Sequence, residues 1–252
     1  MAEPVIKVTN LKKYYKVGDS VVKALRGVDF EIYKGELVAI VGTSGSGKST
    51  LLNMLAGLET PTSGEVVIAN KHIEKLNEDK LVKFRQKHVG FIFQSYNLMA
   101  NMTALENVSL PLTFRGISKD KREKLAKQAL KLVGLSGHEK HKPTQMSGGQ
   151  QQRVGIARAL VLSPEIIFAD EPTGNLDTET SEEVMQLMKK VVVEKKQTLI
   201  MVTHDDYLTE YADRVFRLVD GKIVSIEEHT TETEQETKED SAAVENIDNK
   251  EE

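Results

Sequence analysis

A glycine-rich segment between a strand-like run and a helix-like run places the strongest constraint on this fold. Residues 36–41 are almost wholly apolar, as in a strand buried on both faces of a sheet. Residues 50–57 then read as a helix. The segment between them is Gly42-Thr43-Ser44-Gly45-Ser46-Gly47-Lys48-Ser49. Its glycines let successive backbone N–H groups turn inward and form a concave anion site.

This segment matches the Walker A pattern in the strand–loop–helix context that the pattern requires. Lys48 should reach the β- and γ-phosphates of a nucleotide, and the Ser49 hydroxyl should ligate Mg²⁺. Thr50 lies in the first turn of the following helix, whose positive end faces the phosphates. We therefore expect ATP and Mg²⁺ to bind at residues 42–50 and the ATP to be hydrolysed.

A second apolar run, residues 165–169, ends in the adjacent carboxylates Asp170 and Glu171. Ligands of open α/β sheets bind at the carboxyl ends of the strands, where these side chains would lie. Asp170 suits Mg²⁺, through water, because that ion keeps part of its hydration shell. Glu171 suits a general base that orients or deprotonates the attacking water.

Walker A alone does not separate transport ATPases from GTPases or small-molecule kinases. A GTPase needs an Asn-Lys-x-Asp guanine reader. The two Asn-Lys pairs, at Asn70-Lys71 and Asn249-Lys250, are not followed by that Asp. The GTPase reading is therefore poor, and the kinase reading is opposed by the motif that follows.

Ser147-Gly148-Gly149-Gln150-Gln151-Gln152-Arg153 precedes a helix that runs to about Leu162. Ser147 is a good N-cap, and the glycines leave backbone N–H groups free to face a phosphate. The segment resembles the signature motif of the ABC (ATP-binding cassette) ATPases. The resemblance covers about residues 5–226, with Met146 standing where Leu is usual.

The resemblance implies roles for further residues, in the order in which the family carries them. Tyr15 would stack on adenine, with Tyr14 as the competing choice. Gln94 would contact Mg²⁺ and the attacking water, Asp177 would end the D-loop, and His204 would touch the γ-phosphate. The catalytic set would thus be Glu171, His204, Lys48 and Gln94, and the metal set Ser49, Gln94 and Asp170. Nucleotide contacts would come from Tyr15, residues 42–50, Ser147, Gly148, Gly149, Gln150 and Asp177.

The fold class follows from strands that alternate with helices, which predict a mostly parallel sheet. We expect an α/β P-loop NTPase core with an N-terminal antiparallel β-subdomain, beginning with short strands around Gly18-Asp19. A helical subdomain, at about residues 98–162, would be inserted into this core. The cassette would span residues 1–226, followed by a disordered tail at 227–252 with eleven Asp or Glu against two Lys.

Composition and resemblance together suggest the partners. The sequence has no Cys for disulfides, no signal-peptide layout and no apolar run of 18 residues that would span a bilayer. It also lacks the basic stripe with interleaved aromatic residues that is typical of nucleic-acid binding, so we expect no nucleic-acid partner. His138 and His141 have no further metal-ligand candidates nearby, so we interpret them as exposed loop residues.

The motifs resemble the macrolide-exporter and lipoprotein-release branch of the family, with residues 90–94, 103–108 and 169–174 the most informative. That branch implies a head-to-tail homodimer at the cytoplasmic face of the cell membrane, driving a separate permease. The alternative is a soluble cassette of the translation or repair type.

Overall fold

The computed structural model describes residues 3–229. Within them the strands are β1 (Ile6–Val17), β2 (Ser20–Ile32), β3 (Leu37–Val41), β4 (Ser63–Ile68), β5 (Lys71–His72), β6 (Val89–Ile92), β7 (Ile166–Asp170), β8 (Thr198–Thr203), β9 (Arg214–Val219) and β10 (Lys222–Glu228). The α-helices are α1 (Lys48–Leu55), α2 (Glu78–His88), α3 (Ala104–Phe114), α4 (Lys119–Leu132), α5 (Gly148–Leu160) and α6 (Thr178–Lys195).

The N-terminal part is an antiparallel sheet in the order β2-β1-β4-β5. Strands β1 and β2 form a hairpin that turns at Gly18 and Asp19, where Val17 pairs with Ser20. The antiparallel pairing and this turn are confirmed. The expectation of short strands was wrong, because β1 and β2 are 12 and 13 residues long. Register shifts interrupt their pairing, and such bulges let a long ribbon bend and twist.

The main sheet has the order β10-β9-β3-β8-β7-β6. Strand β3 pairs in parallel with β8 and β9, and β7 pairs in parallel with β6 and β8. The pair β9–β10 is antiparallel. Every residue of β3 and β8 is buried, as expected for strands covered on both faces. The predicted fold class, a mostly parallel P-loop core with an antiparallel N-terminal sheet, is confirmed.

Two hydrophobic clusters lie on opposite faces of this sheet. Leu37 and Ala39 of β3 belong to one cluster, and Val38 and Ile40 belong to the other, because successive side chains of a strand alternate. The first cluster includes residues of α3, α4, α5 and α6, and the second includes residues of α1, α2 and the antiparallel sheet. Both faces are therefore covered, which leaves the carboxyl edge of the sheet to carry the site.

Helices α3, α4 and α5 pack against one another, and all three fall within the predicted helical subdomain. Helix α4 is polar overall, and its buried residues Ala126, Ala129 and Leu130 face the other two helices of this group. Thr103 and Glu106 close α3 with a reciprocal capping box. Ser147 and Gln150 close α5 in the same way, so the helix begins at the signature segment.

Helix α2 and the hairpin of β9 and β10 were not predicted from the sequence. Helix α2 is very polar, but Leu81, Phe84 and His88 follow a helical spacing and are buried, and Asn77 caps the helix. The turn between β9 and β10 has Asp220 and Gly221 at positive φ, an Asp-Gly hairpin signal.

Strand β10 also corrects the predicted start of the acidic tail. Glu227 and Glu228 were assigned to the tail, but both lie in β10, where Arg217 Nε donates to Glu227 Oε1 at 2.7 Å. An acidic side chain with a cationic partner on the next strand can remain in a sheet. The rest of the predicted tail, residues 230–252, lies outside the described residues. Between residues 3 and 229, none of the helices has both the length and the apolar character needed to cross a bilayer.

Candidate active site

The phosphate loop joins β3 to α1 at the carboxyl edge of the main sheet. Two of its glycines have no space for a side chain. A Cβ at Gly42 would lie 2.2 Å from the Leu218 carbonyl oxygen, and one at Gly47 would lie 2.5 Å from that of Ala24. Gly47 also has φ +105°, which an L side chain rarely adopts. Backbone from β9 and β2 therefore supports the loop from behind.

Lys48 is buried inside this loop rather than extended into solvent. Its Nζ donates to the carbonyl oxygen of Gly42 at 2.7 Å and to that of Thr43 at 3.0 Å. The ammonium group is thereby held over the concave side of the loop, where a phosphate group would bind. The predicted contact of Lys48 with the β- and γ-phosphates stays a prediction.

The loop forms one wall of an open groove of about 910 Å³. A side of the groove comes from β2, and the far side carries Glu171 and His204. The lining residues are Val21, Val22, Lys23, Ala24, Arg26, Thr43, Ser44, Gly45, Gly47, Lys48, Ser49, Thr50, Glu171, His204, Asp220 and Gly221. The size and the rim of N–H groups and cations suit a nucleoside triphosphate.

Two of the predicted metal ligands, Ser49 at the start of α1 and Asp170 at the end of β7, lie next to each other. Ser49 Oγ lies 3.3 Å from Asp170 Oδ1. The Ser49 hydroxyl would ligate Mg²⁺ and the Asp170 carboxylate would hold the ion through water, since Mg²⁺ prefers oxygen donors and keeps part of its hydration shell. Burial raises the pKa of the Asp170 carboxyl, and the charge of Glu171 raises it further. The hydrogen bond from the Ser49 hydroxyl lowers this pKa but does not cancel the rise. A divalent cation would offset this cost by stabilising the ionised form.

Glu171 and His204 form a hydrogen-bonded pair at the ends of β7 and β8. Glu171 Oε1 lies 2.9 Å from His204 Nδ1. Glu171 has φ +43°, uncommon for a residue with a side chain, and its N–H donates to Val202 O at 3.0 Å. Strand β8 thus holds the residue in a strained conformation at the site.

The side chains of Gln94 and Glu171 both lie next to Gly174. A Cβ at Gly174 would lie 2.8 Å from Gln94 Nε2 and 3.3 Å from Glu171 Oε2. The glycine therefore leaves room for both polar side chains, and Asn175 Nδ2 fixes the Gln94 carbonyl oxygen at 2.9 Å. The roles of Gln94 toward metal and water stay predictions.

The signature residues occupy a different part of the surface. Of the described residues that line the groove, none belongs to the segment Ser147–Gln150. Ser147 is exposed, and its Oγ accepts from the Gln150 N–H at 3.3 Å. Asp177 is likewise occupied as the N-cap of α6, and its bonds from Thr180 lower the pKa of its carboxyl. The structure does not bring these residues to the groove of their own chain.

The two candidate adenine-stacking tyrosines lie beside the groove on β1. Tyr15 pairs across the hairpin with Val22 and Tyr14 pairs with Lys23, and both partners line the groove. The Tyr15 hydroxyl donates to Glu59 Oε2 at 2.7 Å, and burial raises its pKa. The position of Tyr15 at the groove edge agrees with the expected role, which stays a prediction.

Sequence reasoning missed Tyr96 and Arg158, which connect the Gln94 loop to α5. Arg158 donates to the carbonyl oxygens of Tyr96, at 2.8 Å, and Asn97, two consecutive residues with positive φ. The Tyr96 hydroxyl lies over Gly148, 2.9 Å from where its Cβ would be. Asn tolerates positive φ better than most residues, so Asn97 is a weak sequence signal for this loop conformation. No local sequence pattern predicts that Arg158 binds the loop.

A family model described as ABC transporter matches residues 25–174, which include the phosphate loop, Gln94, the signature segment and Glu171. The chain belongs to the ABC transporter family.

Named relatives agree with the predicted branch. The cassette is 48% identical over 222 residues to an uncharacterized ABC transporter ATP-binding protein, MJ0796, of Methanocaldococcus jannaschii, covering 86% of this chain and 94% of the relative. It is 44% identical over 220 residues to the lipoprotein-releasing system ATP-binding protein LolD of Geobacter metallireducens, covering 87% and 98%. It is 45% identical over 225 residues to the macrolide export ATP-binding/permease protein MacB of Haemophilus ducreyi, covering 89% of this chain but 32% of the relative.

A solved structure is also similar over the whole cassette. It is the dimeric post-hydrolysis state of the ATP-binding cassette MJ0796 bound to ADP and Pi, with a TM-score of 0.83 and 45% identity. The match covers 90% of this chain and 99% of that one. The resemblance to the MacB and LolD branch is thus confirmed, and the chain is an ATP-binding, ATP-hydrolysing subunit of a membrane transporter. The alternative of a soluble translation or repair cassette is not supported.

Proposed function

We propose that two copies of the cassette bind two Mg²⁺-ATP head to tail and that their closure drives a separate permease in the cell membrane. The cassette would lie at the cytoplasmic face, as a peripheral subunit. The relatives named for macrolide export and lipoprotein release favour an exporter or a mechanotransmission system for peptides, lipoproteins or antimicrobials. The relative LolD, which is named as an ATP-binding protein of a lipoprotein-releasing system, is matched over nearly its whole length, and this likeness supports the proposal of a separate permease.

The distribution of the polar groups carries the head-to-tail proposal. The groove presents the phosphate loop, Glu171 and His204 around one side of a γ-phosphate, but the signature segment of the same chain lies elsewhere. A transition state with charge on three γ-phosphate oxygens needs donors around it. Ser147, Gly148 and Gly149 of a second copy would supply them. A copy alone would leave the reacting phosphate in water.

Hydrolysis follows from the pair Glu171 and His204. The attacking water forms a bond to the γ-phosphorus while the bond from phosphorus to the β,γ-bridging oxygen breaks, and ADP leaves. Because Glu171 Oε1 is engaged by His204, Oε2 remains to accept the proton of the water. Lys48 stabilises the charge on the β- and γ-phosphates, and His204 contacts the γ-phosphate. Mg²⁺, held by Ser49 and Asp170 with Gln94 nearby, would neutralise charge on the phosphate oxygens.

Coupling to the permease would run through Gln94 and the helical subdomain at residues 98–162. The Gln94 main chain is tied to Asn175, and the carbonyl groups of Tyr96 and Asn97 are tied to Arg158 of α5. A change at the γ-phosphate can therefore move the loop and α5 together. Tyr15 and residues 42–50 would bind the nucleotide throughout this cycle.

A mixing experiment tests whether each site is shared between copies. Lys48→Ala disables every phosphate loop and Ser147→Arg disables every signature segment, so each variant alone should lack ATPase activity. In an equal mixture, half of the dimers are mixed, and each has one intact site if the sites are shared. We expect about a quarter of wild-type turnover, provided that one site can act alone.

A crosslinking experiment tests the shared site even if a dimer hydrolyses ATP only when both of its sites are intact. The sequence contains no cysteine, so introduced thiols are the sole targets of a bifunctional thiol reagent. Chains with Ser44→Cys and chains with Ser147→Cys should form a crosslinked heterodimer that depends on ATP, in a Glu171→Gln background that slows hydrolysis. Mixtures with Val219→Cys, at an exposed position of β9, serve as the control. The shared site would be disproved if the mixture regains no turnover and the Ser44→Cys and Ser147→Cys chains form no specific crosslink.

A further inference from the structure

The side chain of Gln150 is held in one orientation by the cap of the signature helix. The side-chain Oε1 of Gln150 accepts from the Ser147 backbone N–H at 3.0 Å, and the backbone N–H of Gln150 donates to Ser147 Oγ at 3.3 Å. An amide has an acceptor end and a donor end. Since the oxygen faces Ser147, the NH₂ group is fixed on the other side.

That NH₂ group faces a histidine. Gln150 Nε2 lies 3.3 Å from His138 Nε2, on the loop between α4 and α5. An amide nitrogen only donates, so His138 Nε2 must accept, and the imidazole must be neutral with its hydrogen on Nδ1. His138 Nδ1 is buried and has no hydrogen-bond partner within residues 3–229. His138 and His141 are half-buried, so the interpretation of both as exposed loop residues was wrong.

The loop that carries His138 cannot swing away easily. The His141 N–H donates to His138 O at 3.0 Å, and the two imidazole rings are 5.0 Å apart and tilted by 37°. The loop is joined to the start of α3, where the Leu105 N–H donates to Glu139 O and the Ala104 N–H donates to His141 O. The acceptor atom of His138 is thus held in place by a packed neighbour and by backbone hydrogen bonds.

Charged and titratable groups lie near His138 on its own loop and on α4. Glu139 follows it on the loop, and backbone N–H groups hold the pKa of that carboxyl below its usual value. Lys127 of α4 and the protonated form of His138 also lower the Glu139 pKa. His141 faces the ring, and the contact from α5 is the neutral Gln150.

We propose that His138 is a positioning residue for the signature motif, holding Gln150 and Ser147 in place only while its imidazole is neutral. Protonation puts a second N–H donor against the amide NH₂, and the two donors repel. Gln150 then turns, and the backbone N–H of Ser147 loses its acceptor. The inference rests on the proposed function, because the signature segment is taken to contact the ATP of the partner copy.

A consequence is that ATP turnover senses protons through the signature motif. Histidine is the side chain whose charge ordinarily changes between about pH 5 and 8. Acidification should therefore lower kcat through His138 without weakening ATP binding to the phosphate loop. The contribution of His138 to the pH dependence is the part that a variant at position 138 removes.

The test compares two replacements of His138 in the full chain. His138→Gln keeps an acceptor oxygen and cannot titrate, whereas His138→Leu has no acceptor. At pH 8 we expect His138→Leu to lower kcat about three- to tenfold, with ATP affinity of the isolated chain unchanged, and His138→Gln to remain within about twofold of wild type. Between pH 8 and pH 6, His138→Gln should lose less activity than wild type. His72→Gln, at an exposed histidine of β5, should follow the wild-type profile.

A double-mutant cycle distinguishes positioning from a packing effect. If His138 acts through Gln150, His138→Leu should have no further effect in a Gln150→Leu background. Additive losses, or identical pH profiles for wild type and His138→Gln, would overturn the inference. These outcomes compare variants with an active wild-type ATPase, whereas the mixing experiment asks whether two inactive variants restore a site. Failure of this inference can therefore be distinguished from failure of the proposed shared site. Thermal unfolding of each variant shows whether it has folded, and His138→Gln carries the pH test if His138→Leu does not fold.

Discussion

The phosphate loop, residues 42–49, and the signature segment, residues 147–150, both place glycines at the start of a helix, but their surroundings differ. The loop is enclosed by main chain, with carbonyl oxygens of Leu218 and Ala24 behind Gly42 and Gly47. The signature glycines face side chains instead, the Tyr96 hydroxyl at Gly148 and the Thr180 methyl at Gly149. Lys48 is buried, whereas Ser147 is exposed.

The difference shows how a shared site can be divided between two copies. Atoms of the main chain cannot rotate away, so the phosphate loop is a rigid receptor in every copy. The signature segment depends on a capping box and on side chains that can adjust, which suits a surface that engages its ligand only when another copy approaches. Three predictions test this contrast, in order of decreasing effect.

Glu171→Gln should separate binding from chemistry. The amide cannot take the proton of the attacking water, so we expect turnover to fall by about 10²- to 10⁴-fold. The phosphate loop is untouched, and ATP affinity should stay within about threefold of wild type, with a closed dimer accumulating in ATP. Turnover is measured by phosphate release and dimerisation by size-exclusion chromatography. Near-normal turnover would exclude Glu171 as the base.

Gly47→Ala and Gly149→Ala should differ in whether they can be rescued. The Gly47 replacement meets the Ala24 oxygen and needs positive φ, so we expect a loss of about 2 kcal/mol or more in unfolding free energy. At Gly149 the added Cβ meets the Thr180 Cγ2 methyl, for a loss of about 1–3 kcal/mol.

Thr180→Ser removes that methyl but keeps the hydroxyl that donates to Asp177 at 2.8 Å. It should recover most of the stability lost in Gly149→Ala, as measured by denaturant unfolding, and none of that lost in Gly47→Ala. Equal behaviour of the two glycine variants would contradict the proposed contrast between main-chain and side-chain support.

Asp170→Asn should stabilise the nucleotide-free fold slightly while abolishing Mg²⁺-dependent ATPase activity. Burial raises the Asp170 pKa, so the ionised form costs stability above the unfolded-state pKa. The amide removes this cost, and Tm at pH 7.5 should rise by about 1–4 °C. The gain should fade as the pH drops through the folded-state pKa, where Asp170 becomes neutral.

Asp177→Asn is the matched control on the D-loop. Hydrogen bonds from Thr180 lower the Asp177 pKa, so its ionised form favours the fold above the unfolded-state pKa, and this contribution is lost as pH falls through the folded-state value. The Asn variant should therefore have the same or lower Tm at pH 7.5. Shifts of the same sign in the two variants would show that the environments of the two carboxyl groups are misassigned.

The sequence allowed the core of the site to be predicted because its motifs follow individual strands. Asp170 and Glu171 end β7 and His204 follows β8, and parallel neighbours bring these ends to one edge. Contacts that depend on long separations along the chain were not predictable. Neither the support of Gly47 by Ala24 nor the contact of His138 with Gln150 has a local signal, since each depends on how loops from different elements meet.

The fold was predictable to a similar extent. Buried strands such as β3 and β7 have continuous apolar runs, and their alternation with helices predicted the parallel sheet. Helix α2 was missed because its polar surface hides the spacing of Leu81, Phe84 and His88. The start of the acidic tail was placed too early because Glu227 reads as part of that tail until its partner Arg217 is known.

The carbonyl oxygen of Ala24 sets a limit on how this cassette can vary. It lies 2.5 Å from the Cβ position of Gly47 and also 2.5 Å from that of Gly221, in the turn between β9 and β10. Every amino acid at position 24 would present the same oxygen, so no compensating substitution there can admit a side chain at either glycine. Tolerance at positions 47 and 221 is decided by the path of β2. An engineer who wishes to change the loop must first move the strand.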